Sequence, residues 1–272
     1  MTAAELAALA LRWRAAGRAA VVVSVEQHQG SVPRETGTRM LVAADEVQGT
    51  IGGGHLELQA IDEARLLLAR GGAPVQRRVP LGPALGQCCG GVVHLRLVPL
   101  ADDDPATWSL PAPRFVLRVY GAGHVGRAIV RLLADIDCRV HWVDEREAEF
   151  PAGPLPPHVE RVCVEPVDAE VRAAAPGDFH LVLTHSHDLD LALARAILER
   201  GDFGWFGLIG SATKRARFEA RLAERGIAPE RLARMTCPIG LPGVGGKEPA
   251  VIALAVVAQL LQVASARPPG AG

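Results

Sequence analysis

Two adjacent thiols, Cys88 and Cys89, lie among glycines in the run Gly86-Gln87-Cys88-Cys89-Gly90-Gly91. Structural cysteines usually sit inside apolar elements. A glycine loop is approachable, and its backbone donors lower a thiol pKa and raise its reactivity. Thiolates also suit soft metals. The pair therefore reads either as a nucleophile or metal-centre ligand, or as two inert thiols. Cys138, Cys163 and Cys237 fall on or beside strands without CxxC spacing, which argues against a four-thiolate zinc site. Anion chemistry is suggested elsewhere. Gly52, Gly53 and Gly54 precede His55 at the start of a helix, where bare N–H groups favour negative charge. The loop from Gly30 to Gly37 adds Ser31 and Arg34, and an arginine there could clamp a phosphate bidentately. The alternative is that both loops are ordinary hairpin turns.

The strongest local motif is Gly121-Ala-Gly123-His-Val-Gly126. It follows an expected strand, opens a helix, and is followed by Asp144 at the end of the next strand. That is a dinucleotide-binding fingerprint in its proper context. Gly121 makes the tight turn, Gly123 admits a pyrophosphate, Gly126 lets helix and sheet pack, and Asp144 holds a ribose diol. The alternative is a Rossmann scaffold without its ligand. Thr184-His185-Ser186-His187-Asp188 has a hydrolase-like metal spacing. Its place after a Rossmann strand favours a crevice lining for His185 and His187 and a helix cap for Asp188. Of the 29 Lys+Arg residues only Lys214 and Lys247 are lysines, and both fall at or just beyond glycine-containing loops, Lys214 just after Ser211. Lysine is a compact charge for phosphate. Gly246-Lys247 is followed by Glu248, so it is not a Walker A loop.

These loops need elements to hold them. A helix is expected near Thr2–Ala16, strands at Ala20–Gln27 and Arg39–Ala43, a helix at His55–Ala69, and strands at Val75–Leu81 and Val92–Val98. This order makes an α+β unit over residues 1–100. An acidic run followed by prolines reads as a linker over 101–113. Residues 114–272 alternate strand and helix: Phe115–Tyr120, Gly126–Asp135, Arg139–Val143, Leu181–Thr184, Leu189–Arg200, Phe206–Ile209 and Lys214–Arg225. The fold class is therefore α/β, an N-terminal α+β domain followed by a Rossmann-like, doubly wound parallel sheet. Val251–Ala264 is too short to span a bilayer and reads as a core helix.

Composition narrows the function classes. The 272 residues are 49% hydrophobic and 22% charged, which excludes disorder and small disulfide scaffolds. A net charge of −1 and only 4% aromatics argue against nucleic acid and anionic membranes as partners. Five cysteines, an odd count without a secretory signal, fit a reduced cytoplasmic protein.

Taken in order, Gly30-Ser31-Val-Pro-Arg34, Gly52-Gly53-Gly54-His55-Leu-Glu57, Gly86-Gln87-Cys88-Cys89-Gly90-Gly91, Gly121-Ala-Gly-His-Val-Gly126, Gly207-Leu-Ile-Gly-Ser211 and Gly246-Lys247 resemble the XdhC/CoxI family of xanthine dehydrogenase accessory proteins. The resemblance covers nearly the whole chain, and the Gln87-Cys88-Cys89 run is its most specific piece. In CoxI-like relatives the triple-glycine loop typically continues with cysteine. Here His55 stands there, so no thiol role carries over to that loop. The resemblance implies a non-catalytic maturation factor. It would bind the molybdenum cofactor (molybdopterin) while a cysteine desulfurase supplies sulfur, and then deliver it to apo-xanthine dehydrogenase. The residues are compatible with this: Cys88 or Cys89 could face the molybdenum, and the glycine loops with Arg34 could hold the phosphate. A homodimer stays open. The rival is an NAD(P)-dependent oxidoreductase, which explains Gly121, Gly123, Gly126 and Asp144 but not Cys88-Cys89.

Overall fold

Val21, Val23 and Val25 alternate with Ala20, Val22 and Ser24, so successive side chains of this segment serve opposite faces of a sheet. In the computed structural model, which describes residues 1–81 and 90–267, this segment is β1 (Ala20–Gln29). It is the centre of an antiparallel sheet in the order β3-β2-β1-β5-β4, with β2 Arg39–Ala43, β3 Val47–Gly49, β4 Val75–Pro80 and β5 Val92–Pro99. Helix α2 (Gly54–Arg70) covers one face, packing Leu56, Ala60 and Ala64 onto Val21, Val23, Val25, Met40 and Val42. Helix α1 (Ala3–Ala15) covers part of the other face, where Leu6, Ala10 and Trp13 meet Ala20, Val22, Leu41 and Ala43. A reciprocal capping box starts α1: the Thr2 hydroxyl accepts from the Glu5 N–H and the Glu5 carboxylate accepts from the Thr2 N–H.

The chain forms two compact units, residues 1–111 and 112–272. Proline and acidic residues suggest a linker from residue 101 onward, yet Leu100 and Pro105 are buried, in two short 3-10 turns of the first unit. Trp108 donates its indole N–H to Asp103 at 2.8 Å.

In the second unit, six parallel strands run in the order β11-β10-β9-β6-β7-β8. They are β6 Val116–Tyr120, β7 Arg139–Asp144, β8 Val159–Cys163, β9 Phe179–Val182, β10 Trp205–Leu208 and β11 Met235–Thr236. Helices α3 (His124–Leu132) and α8 (Pro249–Ser265) cover one face. On the other lie α4 (Ala169–Arg172), α5 (His187–Arg200), α6 (Ala212–Glu224) and α7 (Pro229–Leu232). The order reverses between β6 and β9, which is where open α/β sheets hold ligands at their carboxyl ends. The α/β class and the doubly wound sheet are as the sequence leads one to expect. Strands β3, β8 and β11 are additions. β8 is a largely exposed edge strand and β11 has two residues, so neither carries an apolar run.

Polar groups are buried under α4 and α5. Arg118 reaches Asp178 at 3.0 Å and Glu170 at 2.8 Å. Tyr120 Oη and His180 Nδ1 share a hydrogen bond of 3.0 Å. Burial, reinforced by Arg118 and Arg200, drives the His180 pKa down to about 3 from 6.5. The folded pKa lies below the unfolded one, so the unfolded chain binds the extra proton between pH 6.5 and 3. Stability is fully present above pH 6.5 and falls with pH through this window. His180→Gln keeps a polar partner for Tyr120 and removes the titration. Urea denaturation across pH 6.5 to 3.5 should show a shallower loss for this variant than for wild type, the difference approaching about 1.4 kcal/mol per pH unit. Equal slopes would mean that His180 is not held neutral.

Candidate functional site

In the first unit, loop packing brings two of the expected motifs together and sets Gly91, the last residue of a third, beside them. A Cβ on Gly52 would lie 2.6 Å from the Pro33 side chain, so the Ser31–Arg34 loop rests directly on the triple-glycine loop. A Cβ on Gly91 would lie 2.4 Å from the Ser31 carbonyl oxygen. The Leu81 N–H donates to the Gly91 carbonyl at 2.7 Å. Both flanks of the segment that carries the thiols are therefore pinned, and its Gly91 end lies beside Ser31. Gln87, Cys88 and Cys89 lie outside the described residues. Arg34 and His55 are exposed. Among the described residues Arg34 has no ion pair, and His55 Nε2 lies 3.0 Å from Gln59 Nε2.

The expected anion cradle at Gly52–Gly54 differs in one respect. Its donors already converge on the chain's own Glu57. One carboxylate oxygen accepts from the Ile51 N–H at 2.9 Å, the Gly53 N–H at 3.1 Å and the Thr50 hydroxyl. The Gly52 N–H donates to Thr50 Oγ1 at 3.0 Å. An incoming phosphate therefore meets a filled nest at Ile51–Gly53 and an open edge at Gly54 and His55.

In the second unit, the fingerprint glycines separate by role. Gly121 has φ +128°, and a Cβ there would lie 2.3 Å from the Leu183 carbonyl oxygen. A Cβ on Gly126 would lie 2.2 Å from the Gly121 carbonyl oxygen. A Cβ on Gly123 would meet nothing within 4 Å, so its backbone faces open space at the start of α3. Asp144 is buried, and both its oxygens are engaged. They accept from the Ala122 N–H at 2.7 Å, from the Arg146 N–H at 3.0 Å, and from the Arg146 guanidinium at 2.9 Å twice. Burial pushes this carboxyl up, but the bonds from Arg146 and Ala122 outweigh it and hold it below the usual range. A ribose diol would have to displace Arg146 to reach it.

Lys214 likewise offers no free charge. Its Nζ donates to Asp190 at 2.6 Å and to the Ile209 carbonyl at 2.9 Å. Asp190, 1% exposed, also accepts from the Thr184 N–H at 3.0 Å and the Thr184 hydroxyl at 2.7 Å. Ser211 caps α6 by accepting the Lys214 N–H at 3.2 Å. His185, partly exposed, lies 3.6 Å from Glu145 at the crevice. Ser186, with extended backbone, caps α5 in place of Asp188. Lys247 is exposed ahead of α8, its N–H donating to Glu248 at 2.9 Å. Glu57, Arg146 and Asp190 are the residues that sequence reasoning passed over. Each sits close to a singled-out motif, and only their backbone partners reveal the role.

A model of the XdhC Rossmann domain matches residues 117–260, and a model of the XdhC and CoxI family matches residues 13–79. An uncharacterised Escherichia coli protein, YqeB, is 31% identical over 264 residues. That alignment covers 92% of this chain and 44% of the relative, so the chain spans less than half of the relative's length. A Bacillus halodurans structure described as a xanthine dehydrogenase superposes with TM-score 0.73 at 18% identity, covering 100% of this chain and 98% of that one. At that identity the likeness is one of fold.

Two substitutions separate packing from ligand access. Gly126→Ala should cost about 1–3 kcal/mol through overpacking, while Gly123→Ala should leave the denaturation midpoint unchanged. Removing the ammonium from the Asp190 hub should be severe: Lys214→Met strands a buried carboxylate and should cost about 3–5 kcal/mol. Chemical denaturation of the three variants checks both, and a Lys214→Met midpoint equal to wild type would rule out the hub.

Proposed function

The chain belongs to the XdhC and CoxI family, and from that premise we propose that it is a molybdenum cofactor-binding maturation factor. It holds the molybdopterin cofactor as cargo while sulfur is supplied by a cysteine desulfurase, and passes it to apo-xanthine dehydrogenase. The observation that carries the reading is the stacking of Pro33 and Arg34 on Gly52, with Gly91 packed under Ser31. Phosphate recognition suits the first two loops, and the run that ends at Gly91 carries the thiols; Pro33, Gly52, Ser31 and Gly91 are neighbours although far apart in sequence.

The residues present fit the cargo. Arg34 is an exposed guanidinium suited to a phosphate monoester, since its planar fork pairs bidentately with oxyanions. Gly54 and His55 border it at the start of α2. Ser31 adds a hydroxyl beside Gly91. Cys88 and Cys89 are proposed as the soft ligands for molybdenum, whose affinity for thiolate falls as protons compete for sulfur. In the second unit, Gly123 with His185, Ser211 and Lys247 is proposed as a ligand surface of that unit by itself. The molybdenum centre supplies the redox chemistry of the mature enzyme. This chain's residues bind it, orient it and exclude water.

An NAD(P)-dependent oxidoreductase is the weaker reading. The acid it needs, Asp144, is engaged by Ala122 and Arg146, and the rival leaves the cysteine pair unused.

Purified protein mixed with molybdenum cofactor should retain about one pterin per chain through gel filtration. Cys88→Ala/Cys89→Ala should melt within about 0.5 kcal/mol of wild type, as loop substitutions usually do. It should nevertheless lose cofactor retention or fail to yield sulfurated xanthine dehydrogenase. If the double variant binds and matures the enzyme normally, the thiols are not ligands. If the pterin elutes free of wild type at micromolar protein, the maturation reading fails.

A further inference from the structure

The first unit has a groove of about 530 Å³ on the sheet face that α1 covers only in part. Its floor is set by strand register. Arg39 on β2 lies opposite Ser24 on β1, and Ser24 lies opposite Arg96 on β5. One row therefore runs guanidinium, hydroxyl, guanidinium across three strands. Neighbouring strands are about 4.8 Å apart, so the two arginine stems stand about 10 Å apart with the serine between them. Both side chains are long enough to meet one group above Ser24.

The arginines are only loosely paired by their neighbours. Arg39 makes no direct ion pair among the described residues. Its Nη1 donates to the Gly37 carbonyl at 3.0 Å, and its guanidinium lies 4.8 Å from the Trp108 ring centroid. Arg96 reaches Glu26 only at 3.5 Å, with both side chains more than a third exposed. The two carboxylates of the groove have other donors: Glu26 accepts from Gln76 at 3.2 Å and Asp103 from the Trp108 indole at 2.8 Å. Burial draws the Arg39 pKa below its ordinary value, while the charge of Asp103 acts the other way. A partly desolvated guanidinium with N–H donors left over favours an oxyanion, whose two oxygens match its fork. Like charges flanking a hydroxyl would otherwise repel in place.

We propose that this groove is a binding site for a small molecule bearing a phosphate monoester or a carboxylate, its oxyanion seated over Ser24 between Arg39 and Arg96. The groove volume falls in the range of small-molecule sites. Thr36 and Gly37, at the far end of the loop that carries Arg34, border the groove, but Arg34 itself does not line it, and the site stands whether or not the maturation reading holds.

The full chain is titrated with inorganic phosphate and, in parallel, with benzoate, against chloride at matched ionic strength, and the melting temperature is followed. At ten times the dissociation constant, a ligand that binds only the folded chain lowers the unfolding constant about 11-fold. A rise with either probe is expected, lost in Arg96→Gln and in Arg39→Gln/Arg96→Gln but kept in Arg34→Gln. A response to phosphate alone assigns a phosphate monoester, and a response to benzoate assigns a carboxylate. If the double variant does not fold, Arg96→Gln, which alters a half-exposed side chain, decides alone. No rise with either probe, or a rise that Arg96→Gln leaves intact, overturns the site. A rise lost only in Arg34→Gln also overturns it, and leaves the phosphate role of the Arg34 loop standing.

Discussion

Backbone N–H groups that leave a strand before the next helix begins must find acceptors. In this chain buried or half-buried carboxylates supply them. Glu57 collects the amides of Ile51 and Gly53 ahead of α2. Asp144 collects those of Ala122 and Arg146 at the ends of β6 and β7. Asp190 collects the Thr184 amide after β9 and ties it to Lys214 on α6. These three loops are thus shaped by a negative charge from within the chain. A hydrogen bond to an ionised acceptor is roughly twice as strong as a neutral one. These loops are therefore set before a ligand arrives, and the cost of ordering them does not fall on binding.

The same constraint decides which groups remain for recognition. A carboxylate that has filled a nest of amides repels a second anion there. The groups left open are at the rim, where Arg34 is exposed and Gly54 opens α2. In the second unit, Arg146 neutralises the acid that a dinucleotide would use, and Lys214 is bound to Asp190. The open features at the crevice are backbone at Gly123 and partly exposed side chains such as His185.

Much of this was legible in the residue pattern. Strand Arg39–Ala43 is apolar after its first residue and stands in the structure with those bounds. The fingerprint glycines locate the turn after β6 because only glycine fits 2.3 Å from the Leu183 carbonyl. The edge strand β8 was not legible, since Val159–Cys163 carries Glu160 and Arg161 and buries little. Nor was the engagement of Asp144. The spacing to the glycine motif is that of a ribose acceptor, and nothing in it announces that Arg146, two residues on, folds back. The role of Glu57 was hidden for a related reason. An acid in the first turn of a helix is favoured by the helix dipole alone, and only the loop geometry shows that it gathers the preceding amides.

The polar half of the first sheet follows from the length of what covers it. A helix of 13 residues rises about 20 Å, whereas a strand of ten residues runs about 34 Å. Helix α1 therefore shields Ala20 and Val22 but cannot shield the whole of β1. Beyond Val22 the same face turns to Ser24 and Glu26. The ladder with β5 slips between Val25 and Gln27, a bulge that leaves Glu26 without a paired residue. Bulges re-aim side chains and strengthen twist, and here one follows directly along β1 from Ser24, the centre of the row made by Arg39, Ser24 and Arg96. Apolar residues on this stretch would present an open hydrophobic patch and invite association. Placing arginines there avoids that, but arginine alone does not call for a serine centred between two of them, nor for an indole laid against one guanidinium. The register row, the bulge and Trp108 together form a concave polar surface with its cations turned inward, which is what binding a small anion requires and what mere solubility does not.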